Sequence, residues 1–156
     1  MFLKSYSKVN LSLSVIKKLK KIGKHEIQSF FCLLNLFDKI TIKKINAKKD
    51  SIKFKGQFAN LVKNKNNSIS HVLRILREKK IIKNYYSILI NKKIPVFAGM
   101  GGGTSNAFFI ANYLTKNAID KDLLKIFKKR IGSDFELFFY KQGFLFNLNK
   151  ILKSKI

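Results

Sequence analysis

A glycine cluster set between a strand pattern and a helix pattern constrains this chain more than any other feature. It reads Pro95-Val96-Phe97-Ala98-Gly99-Met100-Gly101-Gly102-Gly103-Thr104-Ser105-Asn106-Ala107, with four of the eight glycines and the only proline. Residues 85–91 before it alternate as a strand does, and residues 108–114 after it suit a helix. Glycine costs backbone entropy on folding, and a plain turn does not need four. A strand, a glycine loop and a helix start together make a place for an anion. Glycine N–H groups can approach phosphate oxygens, and the helix N-terminus adds free donors and the positive end of its dipole. Thr104 and Ser105 can cap that helix and offer hydroxyls to a phosphate or Mg²⁺. The loop is not a Walker A sequence, since no Gly-Lys-Ser/Thr closes it. It is not a dinucleotide fingerprint, since Thr104 stands at the third glycine and the loop comes late in the chain.

The rest of the chain supplies short strands and amphipathic helices. Residues 2–7 read as a strand, and residues 8–15 alternate strictly, with Val9, Leu11, Leu13 and Val15 on an apolar face and Lys8, Asn10, Ser12 and Ser14 on a polar one. Residues 25–36 and 38–42 read as two strands parted by a turn, and residues 51–55 and 143–146 as two more. Ser68 can cap a helix running to about residue 80, with Val72, Leu73, Ile75 and Leu76 as its apolar stripe. Asp120 can cap a second over residues 119–130, with Leu123, Leu124, Ile126 and Phe127 turned inward.

The glycine loop resembles the phosphate-binding motif of the GHMP kinases, and within that superfamily it is most similar to the diphosphocytidyl-methylerythritol kinase family. Two further segments agree in family order. Ser7-Lys8-Val9-Asn10-Leu11-Ser12-Leu13 resembles the family's opening strand, and Ile131-Gly132-Ser133-Asp134 resembles the segment that carries its catalytic aspartate. The resemblance implies Lys8 and Asp134 as catalytic residues, Asp134 being the base. It implies residues 95–105 (Pro95, Val96, Phe97, Ala98, Gly99, Met100, Gly101, Gly102, Gly103, Thr104 and Ser105) together with Asn67 as ATP contacts, and Asn10 and His25 as substrate contacts. ATP and Mg²⁺ are the cofactors expected, with no structural metal site. The family usually has tyrosine where Lys24 stands, and an ammonium cannot stack on a base as a ring does. Phe135 and Glu136 replace the family's valine and proline, and Glu136 places a second carboxylate near Asp134.

The implied fold is α+β, of the ribosomal protein S5 domain 2-like type, with a mixed or antiparallel sheet packed with helices over residues 1–156 as one N-terminal kinase domain. The family's C-terminal domain has no counterpart after Gly143, so an apolar face is expected to be covered by a separate second half or in a homodimer. The implied reaction is ATP-dependent phosphorylation of the 2-hydroxyl of 4-diphosphocytidyl-2-C-methyl-D-erythritol, in non-mevalonate isoprenoid biosynthesis. Two other readings stay open: a nucleotide-binding domain without turnover, and a basic RNA-binding module.

Charge bears on the last of these. The formal net charge is +25, from 33 Lys and Arg against 8 Asp and Glu. Lysine supplies nearly all of it; arginine occurs only at Arg74, Arg77 and Arg130. A reader of nucleic acid would use more arginine for bidentate contacts. The lysines are spread along the chain beside many Ile, Asn and Phe, all residues with A/T-rich codons, so base composition accounts for them. Cys32 is the only cysteine, which excludes an intrachain disulfide and fits a reducing cytoplasm. Lys4 and Lys8 interrupt the start before a signal peptide could form, and no apolar run approaches a membrane span.

Overall fold

A single long strand organises the molecule. The computed structural model describes residues 2–19, 24–62, 66–146 and 150–152. Its elements are β1 (Leu3–Leu19), β2 (Lys24–Ile45), β3 (Ser51–Lys55), α1 (Ser68–Glu78), β4 (Tyr85–Asn91), α2 (Gly102–Leu114), α3 (Lys121–Arg130), β5 (Gln142–Phe146) and β6 (Lys150–Leu152). A 3₁₀ turn, Ala59–Leu61, follows β3, and another, Ser133–Phe139, follows α3. The sheet runs β3-β4-β2-β5-β6, with β1 also on β2. Lys39 and Ile40 pair with β1 and β4 at once, and residues 29–32 pair with β1 and β5 at once. β1 therefore holds one edge of β2, while β4 and β5 share the other. All pairings are antiparallel except β3 with β4, so the sheet is mixed, as expected.

β1 and β2 are longer and more continuous than the pattern suggests. The expected break at residues 7/8 and the expected turn near residue 37 are irregularities within paired strands. Tyr6 pairs with Phe37 and Ser7 with Leu34, which leaves Asn35 and Leu36 unmatched on β2. Further shifts fall at Leu11 and Ile16 of β1. Bulges bend and re-phase a strand without ending it. The apolar face expected at residues 9–15 is the clearest departure. Leu11, Leu13 and Val15 are 63%, 55% and 60% exposed. The bulge at Leu11 is the reason: Val9 pairs with Cys32 and Leu13 with Ser29, three positions apart on β2, so Leu13 and Val15 lie on the opposite face from Val9.

The core lies where the sheet meets the helices. Ile40, Ile88 and Ile90 pack beneath Val72, Leu73 and Leu76 of α1 and Ala107, Phe108 and Ile110 of α2. Phe127 of α3 stacks on Phe135 of the second 3₁₀ turn, with centroids 4.6 Å apart. Of the stripe expected on α3, Leu123 and Phe127 are buried, while Leu124 and Ile126 pack partly against the core. Asp120 caps α3 as expected, accepting from the Leu123 N–H at 2.8 Å. The α1 cap is Asn67, not Ser68: its Oδ1 accepts from Ile69 and Ser70 N–H at 3.1 and 3.0 Å. Asn67 has the extended backbone a cap requires, and Ser68 is already helical.

A buried ion pair fixes the chain between β4 and the glycine loop. Asp38 of β2 is fully buried and pairs through Oδ2 with the Lys92 ammonium. Its Oδ1 accepts from the Lys93 and Ile94 N–H groups at 2.7 and 2.9 Å. Substituting Asp38→Ala strands the Lys92 charge and two N–H donors, and is expected to cost about 3–5 kcal/mol of unfolding free energy. Urea unfolding of wild type and variant measures this; a loss below about 1 kcal/mol contradicts the role given to Asp38.

Candidate active site

The glycine loop is shaped by backbone positions that favour glycine. Gly101 has φ 66°, in the left-handed region. A Cβ there would lie 3.1 Å from Phe138 Cζ and 3.9 Å from Lys8 Cε, so the missing side chain is what lets β1, the loop and the second 3₁₀ turn converge. Gly101 is also the N-cap of α2, and it makes no side-chain cap bond. The helix therefore starts earlier than expected. Thr104 and Ser105 lie inside its first turn and do not cap it.

Two bonds anchor the loop from either side. The Lys8 N–H donates to the Met100 carbonyl at 3.0 Å. The Ser68 hydroxyl donates to the Gly103 carbonyl at 2.8 Å. Behind the loop, the buried Ser105 hydroxyl donates to the Tyr6 carbonyl at 2.6 Å and lies 2.7 Å from the Ser5 hydroxyl. Ser105 was expected to face a nucleotide; it instead fastens α2 to β1. A cleft of about 290 Å³ opens over the loop, lined by residues 95–104, by Asn67, Ser68 and Ile69 at the start of α1, and by Phe54, Val62, Lys92 and Asn106. Beyond a Gly103 Cβ there is only Ser68 Oγ at 3.6 Å, and beyond a Gly99 Cβ nothing within 4 Å. Bare backbone thus faces open space at a helix N-terminus, which suits phosphate oxygens.

Lys8 and Asp134 meet beside this cradle. Lys8 Nζ lies 3.0 Å from Asp134 Oδ2 and donates to Asn10 Oδ1 at 3.1 Å. The Lys8 side chain is 4% exposed and that of Asp134 is 40% exposed. Asp134 rides on the Ser133–Phe139 turn, which is anchored by the buried Phe135, Leu137 and Phe138. A Cβ on Gly132 would lie 3.5 Å from Thr104 Oγ1, so the segment carrying Asp134 runs against the first turn of α2. Glu136 is not a second carboxylate at this point: it pairs with Lys128 of α3. A half-open carboxylate held by a nearly buried ammonium can accept a proton from a hydroxyl, while the ammonium offsets negative charge developing nearby.

Of the residues singled out in the sequence, Lys8, Asn10, Asp134 and the loop come together, and Asn67 lines the cleft. The sequence also singles out His25. Its backbone pairs with Lys18, ten residues along β1 from Lys8, or roughly 30 Å of strand. The side chains of Lys24 and His25 lie outside the described residues. His71 is on α1, beside Arg74 at 3.1 Å. Among the described residues no cluster of three or more His, Cys, Asp or Glu could hold a metal, and no helix is long and apolar enough to cross a membrane. Sequence reasoning missed Ser68 as a loop anchor, and also Lys92 and the buried Asn106 in the cleft wall. Ser68 carried a signal, but one read as a cap. Lys92 carried none in a chain so rich in lysine.

No protein-family model matches the chain. Among curated proteins it is 41% identical over 140 residues to a 4-diphosphocytidyl-2-C-methyl-D-erythritol kinase of Pelagibacter ubique, covering 85% of this chain and 47% of the relative. It is 33% identical over 158 residues to the kinase of the same name from Ureaplasma parvum, covering 99% of this chain and 59% of the relative. The chain thus spans about half the length of the curated relatives it matches. Among solved structures, a 4-(cytidine 5'-diphospho)-2C-methyl-D-erythritol kinase superposes with a TM-score of 0.74 at 22% identity, over 100% of this chain and 56% of that one. Mevalonate kinase of Methanococcus jannaschii does so with a TM-score of 0.61 at 19% identity, over 100% and 56%. At such identities these two show the fold alone, that of the GHMP kinases. Fold and sequence agree: over the length it spans, the chain belongs to the 4-diphosphocytidyl-2-C-methyl-D-erythritol kinase family of the GHMP kinase superfamily.

Proposed function

We propose that the chain is the N-terminal, nucleotide-binding unit of a cytoplasmic kinase that transfers the γ-phosphoryl group of ATP to the 2-hydroxyl of 4-diphosphocytidyl-2-C-methyl-D-erythritol, a step of non-mevalonate isoprenoid biosynthesis. The supporting observation is the Lys8–Asp134 pair, 3.0 Å apart beside a glycine cradle. Phosphoryl transfer asks mainly for positioning and charge stabilisation. The backbone N–H groups at the start of α2 hold the phosphates. Mg²⁺, when bound with the nucleotide, would offset the negative charge of the phosphates, and Thr104, which lines the cleft, would offer it a hydroxyl. Asp134 takes the proton of the attacking hydroxyl. Lys8 fixes the direction of that carboxylate and faces the charge that grows on the transferred group. Asn10 accepts a hydrogen bond from the same ammonium and, as an exposed residue beside the pair, serves the acceptor alcohol.

The exposed Leu11, Leu13 and Val15 support a covering partner. In the working protein this edge is buried by sequence equivalent to the remaining half of the relatives, or by a second copy of the chain.

Lys8→Met and Asp134→Asn are each expected to lower kcat at least about 100-fold, while the dissociation constant for ATP changes less than about threefold. A coupled ATP assay with the diphosphocytidyl substrate, paired with calorimetric titration, measures both; turnover in either variant within tenfold of wild type would sink the assignment. Leu13→Lys is expected to shift unfolding free energy by less than about 0.5 kcal/mol, and to weaken self-association or binding of the second half at least tenfold in sedimentation experiments. Unchanged association contradicts the covering role of this edge.

A further inference from the structure

Phe97 is the part of the glycine loop that phosphate binding leaves unexplained. Its φ is 65°, in the left-handed region that a bulky side chain disfavours. The residue is 92% exposed, so packing returns nothing for that strain. Yet Phe97 lines the cleft, and the lining is of two chemical kinds. Backbone at Gly101–Thr104 supplies polar groups suited to phosphates, and Phe54, Val62, Val96 and Phe97 supply apolar ones. A nucleoside triphosphate joins the same two kinds, a charged chain and a flat ring.

We infer that the Phe97 ring is a stacking platform for the nucleobase of a nucleoside triphosphate whose phosphates lie in the cradle. The inference rests on the reading of the cleft as a nucleotide site and adds to it the residue that holds the base. Every base presents a π-face, so the platform raises affinity without choosing among bases. A side chain destined to be covered by a ligand is wasted on the free fold, which accounts for both its exposure and its backbone.

The test is calorimetric titration of the whole chain with ATP, GTP and inorganic triphosphate. In Phe97→Gly and Phe97→Leu, affinity for ATP and for GTP is expected to fall roughly tenfold, the scale of one lost stacking contact. Affinity for inorganic triphosphate stays within about twofold, and Phe97→Trp keeps ATP affinity at or above the wild-type value. The thermal midpoint of Phe97→Gly is not lowered, because glycine accepts this φ freely. Two results overturn the assignment. Either ATP affinity is unchanged in both the glycine and leucine variants, or ATP and triphosphate weaken together, which would make Phe97 a brace of the loop. These are binding measurements. A chain that binds ATP this way and forms no product would refute the kinase reading while leaving the role of Phe97 intact.

Discussion

Lys8 joins three parts of the molecule that the chain keeps far apart. Its backbone N–H holds the loop at Met100, and its ammonium holds Asp134. Its stem runs past Gly101, where any Cβ would touch it and crowd Phe138. Strand β1, the cradle and the turn bearing the carboxylate are thereby fixed by one residue. A lysine buried to this degree needs its partners, since an unpaired ammonium in the interior carries a heavy desolvation penalty. The carboxylate, by contrast, keeps one side open. That asymmetry suits a pair in which the cation orients the carboxylate and offsets nearby charge while the anion takes the proton.

The surroundings of the pair are rigid for identifiable reasons. The bulge at Asn35 and Leu36 lies opposite Tyr6 and Ser7, so it sets the direction in which β1 delivers Lys8. Ser105 and Ser5 clamp α2 to β1 behind the loop, and Asp38 with Lys92 clamps the segment ahead of it. Ser68 reaches from α1 to the loop on the far side. The cradle is held from three directions by these bonds. Phosphate oxygens can then be met by backbone donors already in position, with little reorganisation left to occur on binding.

What could be read from the sequence follows the physics of each signal. The loop and its flanking strand and helix were legible because glycines, a proline and a change of period coincide there. Lys8 and Asp134 were legible only through family resemblance; on local pattern Lys8 is one of many lysines on a wet strand face and Asp134 a turn residue. Their meeting across 126 positions of chain is a tertiary fact that spacing cannot carry. The exposure of Leu11, Leu13 and Val15 was hidden because the bulge at Leu11 re-phases β1, which alternation in the sequence does not record. The cap at Asn67 and the inward turn of Ser105 were missed because several polar residues in a row fit a helix start equally well until the backbone selects one. Glu136 gave a misleading signal: two positions along a 3₁₀ turn from Asp134, it points to Lys128 instead of the site.

The central claim is that Lys8 and Asp134 act as one unit. The turnover of the double variant Lys8→Met/Asp134→Asn, compared with both single variants, tests it most directly. The account predicts that the double variant is about as slow as the slower single one, because either substitution already dismantles the unit. Losses that multiply would show two groups working independently, and would contradict it.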